Sequence, residues 1–329
     1  MKHIKLITFI IFFVLTITQL SFTSQTFYSN KTTPSLQIIS IDTLSQNQSQ
    51  QQKTSNSKKQ HNLTPQQFKS LLQELYKNNY VLTSLKDYLD TITHQEHTVN
   101  TDKKPLVLII ENVSYNKSSF TETTVDKLIL DRNNEFATYS KRLSIQDRIS
   151  KDLDAIPILE SFIQTHPDFS HNNAKAVLGI CGNIDILGYC TDPKNSSSKN
   201  NIKRLQEIIT TLKARGYTFC SNTYSYDNLN LIDDITLAKN LSLWKSIVTP
   251  IVGHSNILSF PFGEKPNNES KIKLLEESTF NVFISNSNKP TNIVVEGNTY
   301  LTKRHIDNSS LTNTPDIFLD LFNPSNIVN

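Results

Sequence analysis

Glycine is the scarcest structural resource in this chain: 7 residues in 329, all of them at or beyond Gly179. Average usage is about 7%, and loops that wrap phosphates need glycines so that the backbone can approach the ligand. With neither a GxGxxG nor a GxxxxGK[ST] stretch present, Rossmann-type and P-loop nucleotide chemistry is excluded. Cysteine is nearly as rare. Cys181, Cys190 and Cys220 are an odd set, too few for a disulfide framework and spaced unlike any zinc motif. They are expected to be mostly reduced, as small buried hydrophobes, with one Cys181–Cys190 bridge as the alternative. Charge of one sign is also missing. The 33 basic and 30 acidic side chains leave a formal +3, with no basic stripe, so a nucleic-acid partner is not expected.

A long apolar run occurs once. Lys2, His3 and Lys5 precede Leu6 to Leu20, interrupted by Thr8, Thr16, Thr18 and Gln19, the charged-then-apolar layout of an export segment. The run falls short of the roughly 20 apolar residues of a comfortable span. Thr23-Ser24-Gln25 is a weak cleavage site, and no cysteine is available for lipid attachment. Residues 1–25 are therefore expected to be either a cleaved signal peptide or a retained membrane anchor. Both place the rest outside the cytoplasm, secreted or membrane-anchored. Ser45 to Asn62 contains no apolar residue and reads as a tether. The expected organisation is a polar linker over 26–62, in which Leu36 to Leu44 is a short stretch able to pair with a later strand, one folded domain over 63–315, and a tail over 316–329.

From Pro65 onward the hydrophobic pattern alternates in kind. Phe68, Leu71, Leu72, Leu75 and Tyr76 share a helix face that Asn78-Asn79 closes. Leu106 to Ile110 is a continuous apolar run bounded by Pro105 and Glu111, as in a strand buried on both faces. Asp154 caps a helix with Ile156, Leu159, Phe162 and Ile163. Strands follow at Ala176 to Ile180, Thr218 to Ser221, Ile257 to Phe260 and Val282 to Ser285, separated by helical patterns over Ile202 to Leu212, Ile235 to Val248 and Ile272 to Leu275. This alternation predicts parallel βαβ units closing into a barrel or an open sheet. Chemistry then belongs at the carboxyl ends of the strands, which nominates Glu111-Asn112, Cys181 to Asp185, Asn222 to Tyr226 and Pro261-Phe262-Gly263.

At these strand ends the sequence resembles the polysaccharide deacetylase family, the NodB homology domain, over about Pro65 to Leu311. Lys104 to Asn112 (KPLVLIIEN) resembles the family's first motif, a strand ending in two aspartates. Gly216 to Tyr226 (GYTFCSNTYSY) resembles the second, where a strand runs into Ser-His-Thr-x-x-His. Ser259 to Gly263 (SFPFG) resembles the third, an apolar strand entering Pro-aromatic-Gly. Phe68 to Leu89, His166 to Ser170 with Ala174 to Ala176, Leu187 to Tyr189, and Arg304 with Asp307 extend the likeness. The resemblance implies an α/β fold, a distorted (β/α) barrel of about seven units. It also implies an activity, metal-dependent N-deacetylation of carbohydrate, in which the first aspartate is the base and the second aspartate and two histidines hold a divalent ion such as zinc.

The matching positions here carry Glu111, Asn112, Asn222 and Tyr226. Only Glu111, at the base position, keeps a carboxylate. Amide oxygens and a phenol with a pKa near 10 are weak ligands for an ion that must bring the pKa of water from near 16 towards 7. The expectation is no cofactor and a catalytically degenerate site whose cleft holds cell-wall or surface glycan. Tyr115, Tyr189, Tyr224, Tyr226, Asn222, Pro261, Phe262, Arg304 and Asp307 are the candidate cleft residues. His254 falls at the wrong end of its strand, His305 lies beside Arg304 near the late element, and His94 and His97 fall in a polar loop. Two alternatives stand beside this: an active zinc-type carbohydrate N-deacetylase with atypical ligands and Glu111 as base, and a surface interaction scaffold. A membrane partner follows only if the N-terminal segment is retained.

Overall fold

The computed structural model describes residues 36–45, 62–94, 102–115, 125–183 and 185–328. Residues 1–25, expected from the sequence to be an export segment, most of the polar tract and His97 lie outside these residues.

Seven parallel strands form a closed ring. In spatial order they are β1 (Gln37–Asp42), β14 (Asn298–His305), β12 (Val282–Asn286), β11 (Ile257–Ser259), β10 (Thr218–Ser221), β7 (Val177–Ile180) and β3 (Lys104–Glu111), and β3 pairs back onto β1 in register from Gln37–Leu106 to Asp42–Glu111. A short strand β2 (Tyr80–Leu82) adds to β3 outside the ring, and β13 (Asn292–Val295) folds back antiparallel on β14. Helices cover the outside: α1 (Pro65–Lys77), α3 (Ala155–Thr165), α4 (Ser198–Ala214), α5 (Asp234–Leu243), α6 (Glu269–Glu276) and the short α7 (Asn308–Asn313). The distorted (β/α) barrel expected from the sequence is the fold of this chain.

Each helix forms for a local reason. Thr64 closes a capping box with Gln67 at the head of α1, with Pro65 in the first turn. Asp154, Asp233 and Asn268 accept backbone N–H bonds at the heads of α3, α5 and α6. Ile235, counted by periodicity on the buried face of α5, is 80% exposed, because the cap at Asp233 starts the helix just before it and sets it outside the packed stripe.

Strand alternation divides the core in two. Outward residues such as Ile39, Ile41, Leu108, Ile110, Leu178, Leu258 and Phe283 pack under the helices. Inward residues Ile38, Val107, Ile109, Val177, Cys220, Ile257, Ile284 and Leu301 fill the barrel, which Leu85 and Tyr88 of α2 (Leu85–His94) plug at its amino end.

Two boundaries differ from expectation. The stretch assigned to a linker over 26–62 contains β1, whose residues are buried or nearly so; pairing with both β3 and β14 closes the barrel. The stretch assigned to a tail over 316–329 buries Phe318, Leu321, Phe322 and Ile327 in the outer core. In both places a short apolar motif beside polar residues looks like linker until a distant surface buries it. A three-stranded sheet, β4 (Lys127–Leu130), β5 (Phe136–Tyr139) and β6 (Ile149–Ser150), is a further insertion between β3 and β7, and a two-stranded antiparallel pair, β8 (Asp185–Ile186) with β9 (Tyr189–Cys190), follows β7.

Candidate functional site

Continuing each inward row two residues past the apolar layer turns it polar. The rows reach Ser40 and Asp42 on β1, Glu111 on β3, Gly179 and Cys181 on and beyond β7, Asn222 after β10, Ser259 on β11, Asn286 on β12, and Lys303 and His305 on β14. All stand at the carboxyl end of the barrel.

Glu111 lies at the centre, 3% exposed. Its Oε1 receives a 2.6 Å bond from Ser259 Oγ, a 2.9 Å ion pair from Lys303 Nζ and a long 3.4 Å contact from Asn222 Nδ2. Lys303 also donates to Ser259 Oγ at 2.8 Å, closing a triangle. Burial alone would raise the Glu111 carboxyl, but the Lys303 ammonium, aided by His305 and the Ser259 hydroxyl, holds it below its usual range. Glu111 is thus an ionised partner of an internal ammonium, in an ion pair with both side chains out of solvent.

Asn222 is fully buried, and both of its amide protons and its oxygen are engaged within the protein. Its Oδ1 accepts from Asn112 N at 3.0 Å and its Nδ2 donates to Ser259 O at 3.0 Å. It fits only because residue 179 is glycine: a Cβ there would lie 2.1 Å from Asn222 Oδ1. Asn112, in the left-handed region at φ 50°, accepts at Oδ1 from Cys181 Sγ at 3.0 Å and Ser114 Oγ at 3.3 Å. Burial lifts the Tyr226 phenol well above its ordinary range, and the nearby carboxylates of Asp42 and Glu111 push the same way. Burial raises the Cys181 thiol to about 12 and Cys220 higher still. All three cysteines are free, Cys190 being half-buried, and neither buried thiol is poised as a thiolate at neutral pH.

A divalent ion does not fit this donor set. The side-chain oxygens of Asn112 and Asn222 already accept protein hydrogen bonds, and the Tyr226 phenol stays protonated. The one carboxylate among the four positions is neutralised by Lys303. Among the described residues no group of three His, Cys, Asp or Glu has metal-binding geometry.

His305, placed from the sequence only beside Arg304 near the late element, joins this centre together with two residues that the sequence did not single out, Asp42 and Lys303. His305 Nδ1 lies 3.0 Å from Ser40 Oγ and 3.9 Å from Glu111 Oε2, and its Nε2 lies 3.7 Å from Asp42 Oδ2. Burial raises the Asp42 carboxyl, with His305 opposing, and Asp42 Oδ1 is buried without a partner among the described residues. Asp42 escaped notice because β1 was read as linker. Lys303 escaped because a lysine inside a strand is ordinarily solvated.

The cleft candidates separate. Tyr226 and Phe262 lie at the carboxyl end with their rings 5.2 Å apart and Phe262 51% exposed, whereas Pro261 is buried and Tyr224 packs against the outer core. Tyr115 does not line the cleft: its hydroxyl donates to buried Asp154 at 2.7 Å. Tyr189 is likewise core, donating to Leu128 O at 3.0 Å. Arg304 points outward on β14, where its guanidinium holds Asp320, Ile317 O and Gln37; being even-numbered on a strand whose odd positions face in, it has no access to the centre. Asp307 caps α7 and borders a cavity of about 360 Å³ beside His305. His254 lies at the other end of the barrel, by a larger cavity of about 670 Å³.

No family model matches this sequence, and no curated protein matches it at the level of sequence. Solved structures do. The chain is similar to a Streptococcus pyogenes deacetylase, PplD, solved in complex with acetate, at 13% identity over 87% of this chain and 97% of that one, with a TM-score of 0.50. It is also similar to the putative polysaccharide deacetylase BA0330 of Bacillus anthracis, at 14% identity over 87% of this chain and 68% of that one, with a TM-score of 0.51. The chain has the polysaccharide deacetylase fold.

Proposed function

We propose that this is an exported protein that binds cell-wall or surface glycan through a polysaccharide-deacetylase barrel and does not deacetylate it. The observation that carries this reading is the hydrogen-bond closure of the centre. The amides at the Asn112 and Asn222 positions are already hydrogen-bonded inside the protein, the Tyr226 phenol is kept protonated by burial, and the base-position carboxylate is ion-paired to Lys303 at 2.9 Å. Hydrolysis of an acetamide needs a cation or equivalent to polarise the carbonyl and a base free to take a proton from water. Glu111, held low and shielded from solvent, is a poor proton acceptor at neutral pH. The exposed Phe262 ring beside Tyr226 remains suited to sugar contact.

The solved neighbours, named as deacetylases, favour glycan as the ligand class. The test pairs two assays on one sample: binding to N-acetylated oligosaccharides by calorimetry, and acetate release from the same oligosaccharides with added zinc. Binding without acetate is the expected result. Zinc-stimulated acetate release that Glu111→Gln abolishes would instead support a working deacetylase with atypical ligands.

A further inference from the structure

The cavity beside His305 is walled by neutral hydrogen-bonding groups. Asn286 ends β12 and Ser287 and Asn288 follow it on one side, and Ser309, Asn313 and Thr314 belong to α7 and its end on the other. Amides and hydroxyls that donate and accept suit a polyhydroxylated ligand. Each basic group at its edge faces an acid within the protein: Lys303 faces Glu111, Arg304 faces Asp320, and His305 faces Asp42 and Glu111 at 3.7 and 3.9 Å. Asp307 and Asp42, coupled to each other through their charges, add negative charge, so no basic group here stands without an acid partner to welcome an anion.

A second, independent feature adjoins this cavity. Phe262 holds its backbone at φ 59°, a strained region for a bulky side chain, and leaves its ring half exposed against Tyr226. The turn is tied to the cavity wall: Asn286 Nδ2 donates to Phe262 O at 3.4 Å, and a Cβ on Gly263 would lie 1.9 Å from the Asn286 side chain. Platform and cavity are therefore fixed relative to each other.

We propose that the 360 Å³ cavity holds one uncharged sugar residue of a glycan chain whose adjacent residue stacks on Phe262. This rests on the glycan-binding reading and adds a subsite away from the Glu111 centre, with selection against anionic sugars. Calorimetry on the full chain tests it, with neutral oligomers of N-acetylglucosamine, glucose, mannose and galactose against oligogalacturonate of equal length. At least one neutral series binds, and oligogalacturonate binds at least about tenfold more weakly, as expected where no cation is free. The variant Asn288→Ala/Asn313→Ala, altered only at exposed positions, weakens neutral binding about tenfold through lost hydrogen bonds, with an unchanged melting temperature. Phe262→Ala weakens it separately. If the double variant binds like the unaltered protein while Phe262→Ala does not, the cavity is not the subsite and the glycan reading survives. Oligogalacturonate binding as tight as neutral binding overturns the charge selection. No binding by any neutral series overturns both readings.

Discussion

At the scale of single residues, Glu111 and Lys303 define the centre. Their pairing predicts strong non-additivity. Lys303→Met leaves a carboxylate buried without its cation and should cost about 3–5 kcal/mol at pH 7, whereas adding Glu111→Gln should recover part of that loss. Urea unfolding of the two single variants and the double variant measures the coupling. The pH dependence has a definite sign. In the unaltered protein the Glu111 carboxyl is lower folded than unfolded, so its stabilisation is present above the ordinary carboxylate range and lost as pH falls through the folded value. In Lys303→Met the carboxyl rises, so the deficit should shrink between pH 7 and pH 5. A deficit unchanged with pH would mean that Glu111 is not the group left unpaired. Asp154 behaves oppositely. Burial brings it from 3.8 to about 6, so the folded state holds its proton more tightly and stability declines as pH rises from about 4 to 6, by at most about 3 kcal/mol. Asp154→Asn keeps the helix cap and should flatten that part of the stability–pH curve.

At the scale of elements, two-residue periodicity carries the account. Most strands and helices after Pro65 were legible because continuous apolar runs and capped amphipathic stretches have few other uses, and the ends of β3, β10 and β11 were legible from the motifs. The partners were not. Lys303 and His305 lie on β14, whose alternation of Thr299, Leu301, Lys303 and His305 mixes apolar and charged residues on the inward face, so it lacks a buried strand's signature. Cleft tyrosines were ambiguous for a similar reason: Tyr115 and Tyr189 sit near strand ends yet point into packing, which side-chain chemistry alone does not distinguish. The close approach of β7 and β10 gives a direct test. Gly179→Ala puts a methyl against Asn222 Oδ1 and should destabilise by about 1–3 kcal/mol, read by thermal unfolding. A neutral result would mean that Asn222 is free to turn away and that the polar layer is loosely held.

At the scale of the whole molecule, the barrel closes through a strand that lies before the polar tract. A chain starting at Leu63, the boundary suggested by composition, lacks β1. It would leave β3 and β14 with unpaired edges and expose the inward residues. It should be aggregated or uncooperative in unfolding by circular dichroism and gel filtration, while a chain starting at Leu36 should unfold in one transition. Equal behaviour of the two would make β1 dispensable. The same closure brings Asp42 beside His305 and completes a centre in which an ammonium lies against the carboxylate at the base position. The most direct measurement is a calorimetric titration of the unaltered protein with zinc at neutral pH. This account predicts no binding tighter than about millimolar, since the available donors are neutral or already paired. Stoichiometric binding at micromolar or lower concentration, lost on Glu111→Gln, would contradict it.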